Sequence, residues 1–263
     1  SIHSIVDKHK DLNSGKISII RLANDDIQVI DDGNGLTEEN FLSFRTYDSP
    51  QKKKIFGKGI GRISWLKVFA SVDIDSVFLD GDKKFRRKFS FVLNSQHPIQ
   101  NHTISEVSAL EPIFTTTTLR GLRETYRRHF PVKLQTFANR IISHFSAFFL
   151  SGVCPTFSLS DQDQTIDLRS HTVDRTKPLG KDIYEASGQN FTIRHYLVEK
   201  TLGDGKPKHQ LQFTGATRTV TERDIGGVIG LTTFVDVDGK QYFYNGIVSS
   251  EFLDQHTNTE RTG

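Results

Sequence analysis

Length, composition and charge set the first limits on this chain. Its 263 residues suffice for one large domain or two modest ones. No apolar run approaches the roughly 20 residues that a membrane-spanning helix needs, so we expect no membrane partner. A single cysteine excludes an internal disulfide and a multi-cysteine zinc site, which favours a cytoplasmic protein. A net charge of +3 is too small to indicate nucleic-acid binding by itself.

The first predicted elements are a helix and a β-hairpin. Apolar residues at i, i+3, i+4 spacing, beginning at Ile2, share one helical face, and residues 13–15 end that helix. Two strand-like runs follow, over residues 17–22 and 27–30, on either side of a polar turn. A helix that starts at the very first residue is expected to have lost its front.

Glycine-rich and polar segments come next. A turn at residues 31–35 leads into a helix from Thr37, and a lysine-rich, proline-containing stretch over residues 45–54 is predicted to be mobile. A second glycine cluster at residues 57–61 opens a helix that is predicted to run to about Ala70.

The remaining chain is read as strands around one long helix. Strands are predicted between residues 72 and 93, and the clearest helical periodicity covers residues 134–150. The composition then turns polar and strand-rich, so we place a boundary near residue 172, giving domains 1–172 and 173–263. Residues 236–239 favour a hairpin with an Asp-Gly turn.

The first glycine cluster is a candidate ligand-binding turn. Asp31, Gly33 and Gly35 form a D-x-G-x-G pattern between a strand and a helix. Glycine tolerates positive φ and lets backbone approach a ligand. A carboxylate at the strand end can accept a hydrogen bond from an amine such as that of adenine. Asp and Gly also dominate ordinary turns, so this pattern alone leaves both interpretations open.

The second glycine cluster is typical of a phosphate site. Alternating glycines around Lys58 stand immediately before a helix, where backbone N–H groups and the positive helix end attract anions. The pattern is neither a P-loop nor a Rossmann G-x-G-x-x-G, because no Gly-Lys pair is followed by Ser or Thr and the glycine spacing differs.

The order helix, strand, D-x-G-x-G, basic segment, G-x-G-x-G, helix resembles the Bergerat ATP-binding fold of the GHKL superfamily. Its members include gyrase, the heat-shock chaperones of ninety kilodaltons, histidine kinases, MutL and MORC proteins. The resemblance implies an α/β sandwich, a mixed sheet with helices on one face, followed by a smaller strand-rich α+β transducer domain. It also implies ATP and Mg²⁺ as cofactors.

The resemblance assigns roles to residues of both glycine clusters. Asp31 would read the adenine amine, Gly33 and Gly35 would shape the base pocket, and residues 45–56 would form the ATP lid. The residues implied at the phosphates and the start of the next helix are Gly57, Lys58, Gly59, Ile60, Gly61 and Arg62.

Two family features are incomplete in this chain. The threonine that usually supports the adenine site matches Thr117 or Thr118, but the expected preceding glycine is absent, so its register stays open. The family's first helix carries a Glu that activates water and, four residues later, an Asn that holds Mg²⁺. By register both would precede Ser1. We therefore expect ATP hydrolysis in the complete protein and not efficiently in the chain as given.

The last residues resemble the catalytic loop of the chaperones' middle domain. On that resemblance Leu253 and Asn258 lead to Arg261, which would contact the γ-phosphate and sense whether ATP or ADP is bound. A polar surface loop is the alternative.

The function implied is an ATP-binding switch that closes or dimerises on ATP and, in the complete protein, hydrolyses it. A protein effector or nucleic acid is a candidate partner, in a bacterial antiviral defence or DNA-associated assembly. Two alternatives stay open: a nucleotide-binding scaffold without hydrolysis, and a nucleic-acid-binding module with a vestigial pocket. The nucleic-acid-binding alternative rests on basic clusters at residues 52–54, 83–88 and 120–128.

Overall fold

A computed structural model describes residues 2–9, 12–45, 61–150, 152, 154–203, 208–215 and 218–256. The chain divides into two units. Unit 1 comprises Ser1–Leu134 and Pro155–Asp167, and unit 2 comprises Gln135–Cys154 and Leu168–Gly263. The chain therefore passes between the units three times, after residues 134, 154 and 167.

Eight strands of unit 1 form one mixed sheet. They are β1 (Lys16–Arg21), β2 (Ile27–Asp31), β3 (Phe69–Asp80), β4 (Lys83–Val92), β5 (Ile99–Val107), β6 (Phe114–Leu122), β7 (Thr156–Ser160) and β8 (Thr165–Asp167). Their spatial order is β5-β4-β3-β6-β2-β1-β7-β8. Every neighbouring pair is antiparallel except β1 with β7, which run parallel.

Four helices of unit 1 lie among the described residues: α1 (Ile2–His9), α2 (Glu38–Arg45), α3 (Gly61–Val68) and α4 (Glu124–Arg127). Helix α2 begins after Thr37, whose hydroxyl accepts the N–H of Asn40 at 3.2 Å as a helix cap. Helix α3 ends at Val68 and not near Ala70 as predicted, because the chain from Phe69 onward already pairs with β6.

The core of unit 1 lies between helices α2 and α3 and one face of the sheet. Phe41 and Phe44 of α2 and Leu66 of α3 pack against strand residues that alternate along β3 and β4. Those strand residues are Val72, Ile74, Phe89 and Phe91. Burying a phenylalanine side chain contributes about 1.5–3 kcal/mol, so this face fixes the two helices on the sheet.

Six strands of unit 2 form a second, smaller sheet. They are β9 (Thr176–Ala186), β10 (Gln189–Glu199), β11 (Gln210–Gly215), β12 (Arg218–Asp224), β13 (Val235–Val237) and β14 (Lys240–Ser249). The order is β12-β11-β14-β10-β9, with β13 also paired to β14. The pair β11 and β14 is parallel.

Helices α5 (Leu134–His144), α6 (Ser146–Leu150), α7 (Leu168–Val173) and α8 (Glu251–His256) complete the described elements. The single helix predicted over residues 134–150 is therefore two helices. The Ser146 hydroxyl donates to Gln212 Oε1 at 2.6 Å, which anchors the start of α6 to β11 of the second sheet. No helix of the described residues is both long and apolar enough to span a bilayer.

Candidate functional site

Asp31, the last residue of β2, is a buried carboxylate at a strand end. It is 4% exposed. Its Oδ1 atom accepts the N–H of Gly33 at 3.1 Å, a local bond that is typical of Asp in turns. The carboxylate therefore has a defined orientation where the chain leaves the sheet.

Gly33 and Gly35 let the loop after Asp31 pass between helix α1 and strand β3. A Cβ on Gly33 would lie 2.1 Å from Ser4 Oγ. Gly35 has a φ of +75°, and a Cβ there would lie 2.2 Å from the carbonyl oxygen of Val77. Both glycines are therefore required by close packing inside the protein, and their predicted role in shaping a base pocket stays a prediction.

A row of polar side chains crosses the sheet at the level of Asp31. Asp31 pairs with Thr115 of β6, Thr115 pairs with Ser76 of β3, and Ser76 pairs with Arg87 of β4. Residues directly opposite in antiparallel strands share one face of the sheet. Ser76 and Arg87 are at most 1% exposed, so this row is an internal polar layer beside the apolar core.

Ser76 joins three segments of this region. Its hydroxyl oxygen accepts the N–H of Leu36 at 2.8 Å and lies 3.0 Å from the hydroxyl of Thr115. It also lies within donating distance of the Phe114 carbonyl, at 3.0 Å. The loop that begins at Asp31 is thereby fastened to both β3 and β6.

The pairing of β2 with β6 gives the position of each threonine of residues 115–118, the threonine run, relative to Asp31. Thr115, the first member of the run, lies opposite Asp31. Thr117 lies two positions further along the same face, opposite Val29. Thr118 is on the other face, where its hydroxyl accepts from the Gln28 side chain at 3.3 Å. The signal available in the sequence was the run of four threonines. Only the strand pairing shows that Thr115 is the one opposite Asp31.

The structure covers part of the predicted phosphate region. Gly57, Lys58, Gly59 and Ile60 lie outside the described residues, as do Arg261 and residues 46–56 of the predicted lid. Gly61 is the first residue of α3. Arg62 is buried, donates to the Ser43 carbonyl at 3.3 Å and lies 5.3 Å from the Phe44 ring centroid.

His102 of β5 stacks against the helix that follows the loop. Its ring lies 4.7 Å from that of Phe41, centroid to centroid. His102 as a whole is exposed, but packing against Phe41 partly removes its ring from water, which lowers the pKa of His102 from its ordinary value of 6.5. The positive charge of Arg87 lowers it further. The imidazole is therefore biased toward its neutral form.

The described basic clusters of unit 1 are largely paired with acidic residues. Arg120 forms an ion pair with Asp73, and Arg86 forms a bidentate pair with Asp75 at 2.6 and 2.7 Å. Arg127 pairs with Asp25 and with Glu124, each at 3.1 Å. This pairing favours the interpretation of these clusters as structural surface over a nucleic-acid interface.

Unit 2 contains a hydrogen-bonded chain of three titratable groups. His195 Nδ1 lies 2.6 Å from the Tyr244 hydroxyl, and its Nε2 lies 3.0 Å from Asp182 Oδ2. Burial raises the pKa of Tyr244, and Tyr184 and Asp182 raise it further. The phenol is therefore held protonated, which does not suit a nucleophile.

Comparison with known proteins gives structural matches. No family model matches the chain, and no curated protein matches its sequence. The chain is similar to the ATPase domain of Aquifex aeolicus MutL complexed with ADP, at a TM-score of 0.50 and 13% identity, over 95% of this chain and 87% of that one. It is also similar to the N-terminal domain of a DNA repair protein, at a TM-score of 0.52 and 10% identity, over 93% and 85% of the two chains.

These matches identify the fold as that of GHKL-type ATPase domains. The predicted α/β class is confirmed, because the described residues form mixed sheets and a few helices.

Proposed function

We propose that the chain binds ATP at the end of β2, and that the complete protein is an ATP-driven conformational switch. The observation that carries the proposal is the buried carboxylate of Asp31, oriented where β2 meets a glycine loop in a GHKL-type fold.

Asp31 is proposed to accept a hydrogen bond from the exocyclic amine of adenine. A buried carboxylate offers acceptors alone, so it favours a donor on the base and disfavours an oxygen at that position. The hydroxyl of Ser4 is a second observation in favour of a polar ligand near Asp31. Its Oγ atom is buried beside Gly33 and has no hydrogen-bond partner among the described residues.

Thr115 is the threonine that we propose at the adenine site, in place of Thr117 or Thr118. It shares a face with Asp31 on the neighbouring strand, and Ser76 holds its hydroxyl at 3.0 Å. A hydroxyl with a fixed partner can present its remaining donor or acceptor to the base or to a bridging water.

The phosphates are proposed to lie at the start of α3, where backbone N–H groups and the helix dipole attract anions. Gly57, Lys58, Gly59, Ile60 and Gly61 carry this part of the proposal from sequence. Mg²⁺ is implied by the resemblance alone. Among the described residues, no group of three His, Cys, Asp or Glu side chains is arranged to hold a metal ion.

The output we propose for the complete protein is closure or dimerisation on ATP, with Arg261 contacting the γ-phosphate. A guanidinium there would lose its partner in ADP, which supplies the differential contact that a switch requires. The setting, a DNA-associated or an antiviral defence assembly with a protein or nucleic-acid effector, stays a prediction from the sequence.

A nucleotide-binding scaffold that does not hydrolyse ATP is the second candidate. Nucleotide binding without turnover, measured on the complete protein, would favour the scaffold over the ATPase.

Calorimetric titration of the purified chain with ATP and with inosine triphosphate tests the proposal. Inosine triphosphate carries an oxygen where ATP carries the amine. We expect ATP to bind at least about tenfold more tightly, the effect of one charge-assisted hydrogen bond of roughly 1.5–3 kcal/mol. No binding of either nucleotide would overturn the proposed function, and equal affinities would remove Asp31 from its proposed role.

A further inference from the structure

We propose that Arg87 is a positioning residue for the nucleotide site. Its guanidinium would hold the segment between Asp31 and helix α2 in the conformation that presents Asp31 to the base. This inference rests on the proposed function, because it concerns the same site.

Arg87 reaches the start of α2 from within the sheet. Its Nη2 atom forms an ion pair with Glu38, and its Nη1 atom donates to the carbonyl oxygen of Thr37 at 3.3 Å. The Arg87 side chain is 1% exposed, whereas that of Glu38 is 74% exposed. The buried guanidinium therefore binds the first turn of α2 on the side that faces the sheet, while the Glu38 carboxylate stays exposed to solvent.

Two aromatic rings fix the plane of this guanidinium. Its central carbon lies 4.1 Å from the ring centroid of Phe41 and 5.0 Å from that of Phe78. Cation–π contacts of this kind strengthen when the cation is desolvated. They restrict Arg87 to an orientation in which both terminal nitrogens point at residues 37–38.

Core packing alone does not account for an arginine at this position. Taking a cation out of water is costly, and apolar residues of similar volume commonly stabilise a core at least as well. The Nε atom of Arg87 is moreover buried without a hydrogen-bond partner among the described residues. Arg87 is thus desolvated at a cost in stability and incompletely paired, which favours a positioning role over a purely structural one.

The segment from Asp31 to Glu38 is fastened at successive points. The Gly33 N–H bonds to Asp31, the Leu36 N–H bonds to Ser76, and the Thr37 carbonyl and Glu38 carboxylate bond to Arg87. Arg87 provides the last of these points, where the loop becomes a helix. Without it, the loop keeps its earlier hydrogen bonds, such as those of the Gly33, Asn34 and Leu36 N–H groups, but loses the anchor that sets its exit direction.

The ratio of ATP to inosine triphosphate affinity separates positioning from general structural support. This ratio reports the contact between Asp31 and the adenine amine. A purely structural defect in Arg87 variants would weaken both nucleotides by the same factor. A misplaced Asp31 would weaken ATP more than inosine triphosphate, because inosine triphosphate lacks the amine.

Calorimetry on the whole chain with Arg87→Lys and Arg87→Met is the test. We expect the ratio to fall by about tenfold in Arg87→Met, the equivalent of one well-placed hydrogen bond. A smaller fall of about threefold is expected in Arg87→Lys, which keeps the charge but loses the planar fork. Arg86→Met is the matched control, since Arg86 is the adjacent arginine, on the opposite face, paired with Asp75. Its ratio should match that of the parent.

Glu38→Gln keeps the inference falsifiable if the Arg87 variants fail to fold, since the exposed Glu38 side chain tolerates substitution. We expect its ratio to fall by about threefold, because the ion pair that orients Arg87 is lost. A parent chain that binds neither nucleotide would overturn the proposed function and this inference with it. The inference would be overturned, and the proposed function kept, by another result. In that result the parent chain prefers ATP as expected, and every folded Arg87 variant and Glu38→Gln keep the parent's ratio of affinities.

Discussion

At the scale of single residues, the polar row of the candidate site depends on strand register. The pairing of β2, β6, β3 and β4 brings Asp31, Thr115, Ser76 and Arg87 into one row across the sheet. Register depends on tertiary pairing, and a one-residue slip would send each side chain to the other face.

Replacing Ser76 by alanine tests whether this hydroxyl holds the loop. The change leaves the partly buried Leu36 N–H without its acceptor, so we expect the free energy of unfolding to fall by about 1–3 kcal/mol in urea titration. Ser64→Ala, on the exposed face of α3, should change it by less than about 0.5 kcal/mol. A loss in Ser76→Ala as small as in the control would mean that water replaces the hydroxyl.

One member of the polar row could be predicted from the sequence. Asp31 stands in a D-x-G-x-G turn after a strand. Thr115, Ser76 and Arg87 could not be predicted, because only the tertiary pairing of β6, β3 and β4 brings them into that row.

The lowered pKa of His102 predicts a pH dependence of stability. The unfolded state takes up a proton near pH 6.5, whereas the folded state resists protonation because the His102 ring is partly desolvated and faces the charge of Arg87. This contribution to stability is therefore complete above pH 6.5 and is lost as the pH falls toward the folded pKa. Proton NMR should give a His102 midpoint below 6.5, and His102→Gln should flatten the stability profile between pH 7 and 5. A midpoint at or above 6.5 would contradict the assigned environment.

At the scale of elements, local sequence signals predicted the elements that carry turn residues or alternating apolar residues, and missed others. The Asp-Gly hairpin at residues 236–239 is confirmed, with Asp238 and Gly239 both at positive φ between β13 and β14. The helix break between α5 and α6 was missed, because the apolar period continues through it. Strand β5 was not predicted at all, since its residues are mostly exposed and show no alternation.

Alanine substitutions at two glycines with positive φ, Gly81 and Gly35, distinguish the cost of backbone strain from the cost of a steric clash. At Gly81, in the turn between β3 and β4, a Cβ would meet nothing within 4 Å, so Gly81→Ala should cost only the left-handed conformation, about 1 kcal/mol. Gly35→Ala should cost about 3 kcal/mol or more, because a Cβ there also meets the Val77 backbone at 2.2 Å. Equal losses in chemical denaturation would show that the loop moves away from β3 freely.

At the scale of the whole molecule, the two units are interleaved in sequence. A composition change near residue 172 predicted one boundary, close to the last of the three passages between units. Residues 135–154 are grouped with unit 2 by contacts with distant parts of the chain, as in the Ser146–Gln212 bond. Composition carries no record of such contacts, so this insertion could not be predicted.

Truncation tests this interleaving. A fragment of residues 1–172 keeps α5 and α6 but loses the second sheet, so the buried Phe148 and Phe149 should become exposed. We expect this fragment to aggregate or to bind a hydrophobic dye. Unit 1 alone, made by joining residues 134 and 155 through a Gly/Ser linker and ending at residue 167, should stay soluble and folded. A well-folded 1–172 fragment would contradict the division.

The central claim is that Asp31 binds the base of ATP. The measurement that tests it most directly is the ATP affinity of Asp31→Asn, compared with that of the control variant Asp32→Asn. Asp32 is the neighbouring carboxylate, and it accepts the Lys16 N–H at 2.7 Å, a bond that an asparagine oxygen can keep. We predict that Asp32→Asn binds ATP as the parent does. Asp31→Asn should lose ATP affinity by at least about tenfold, equivalent to roughly 1.5–3 kcal/mol, with an unchanged circular dichroism spectrum. Unchanged ATP affinity in Asp31→Asn would contradict the account, because the buried carboxylate at the end of β2 would then not read the base.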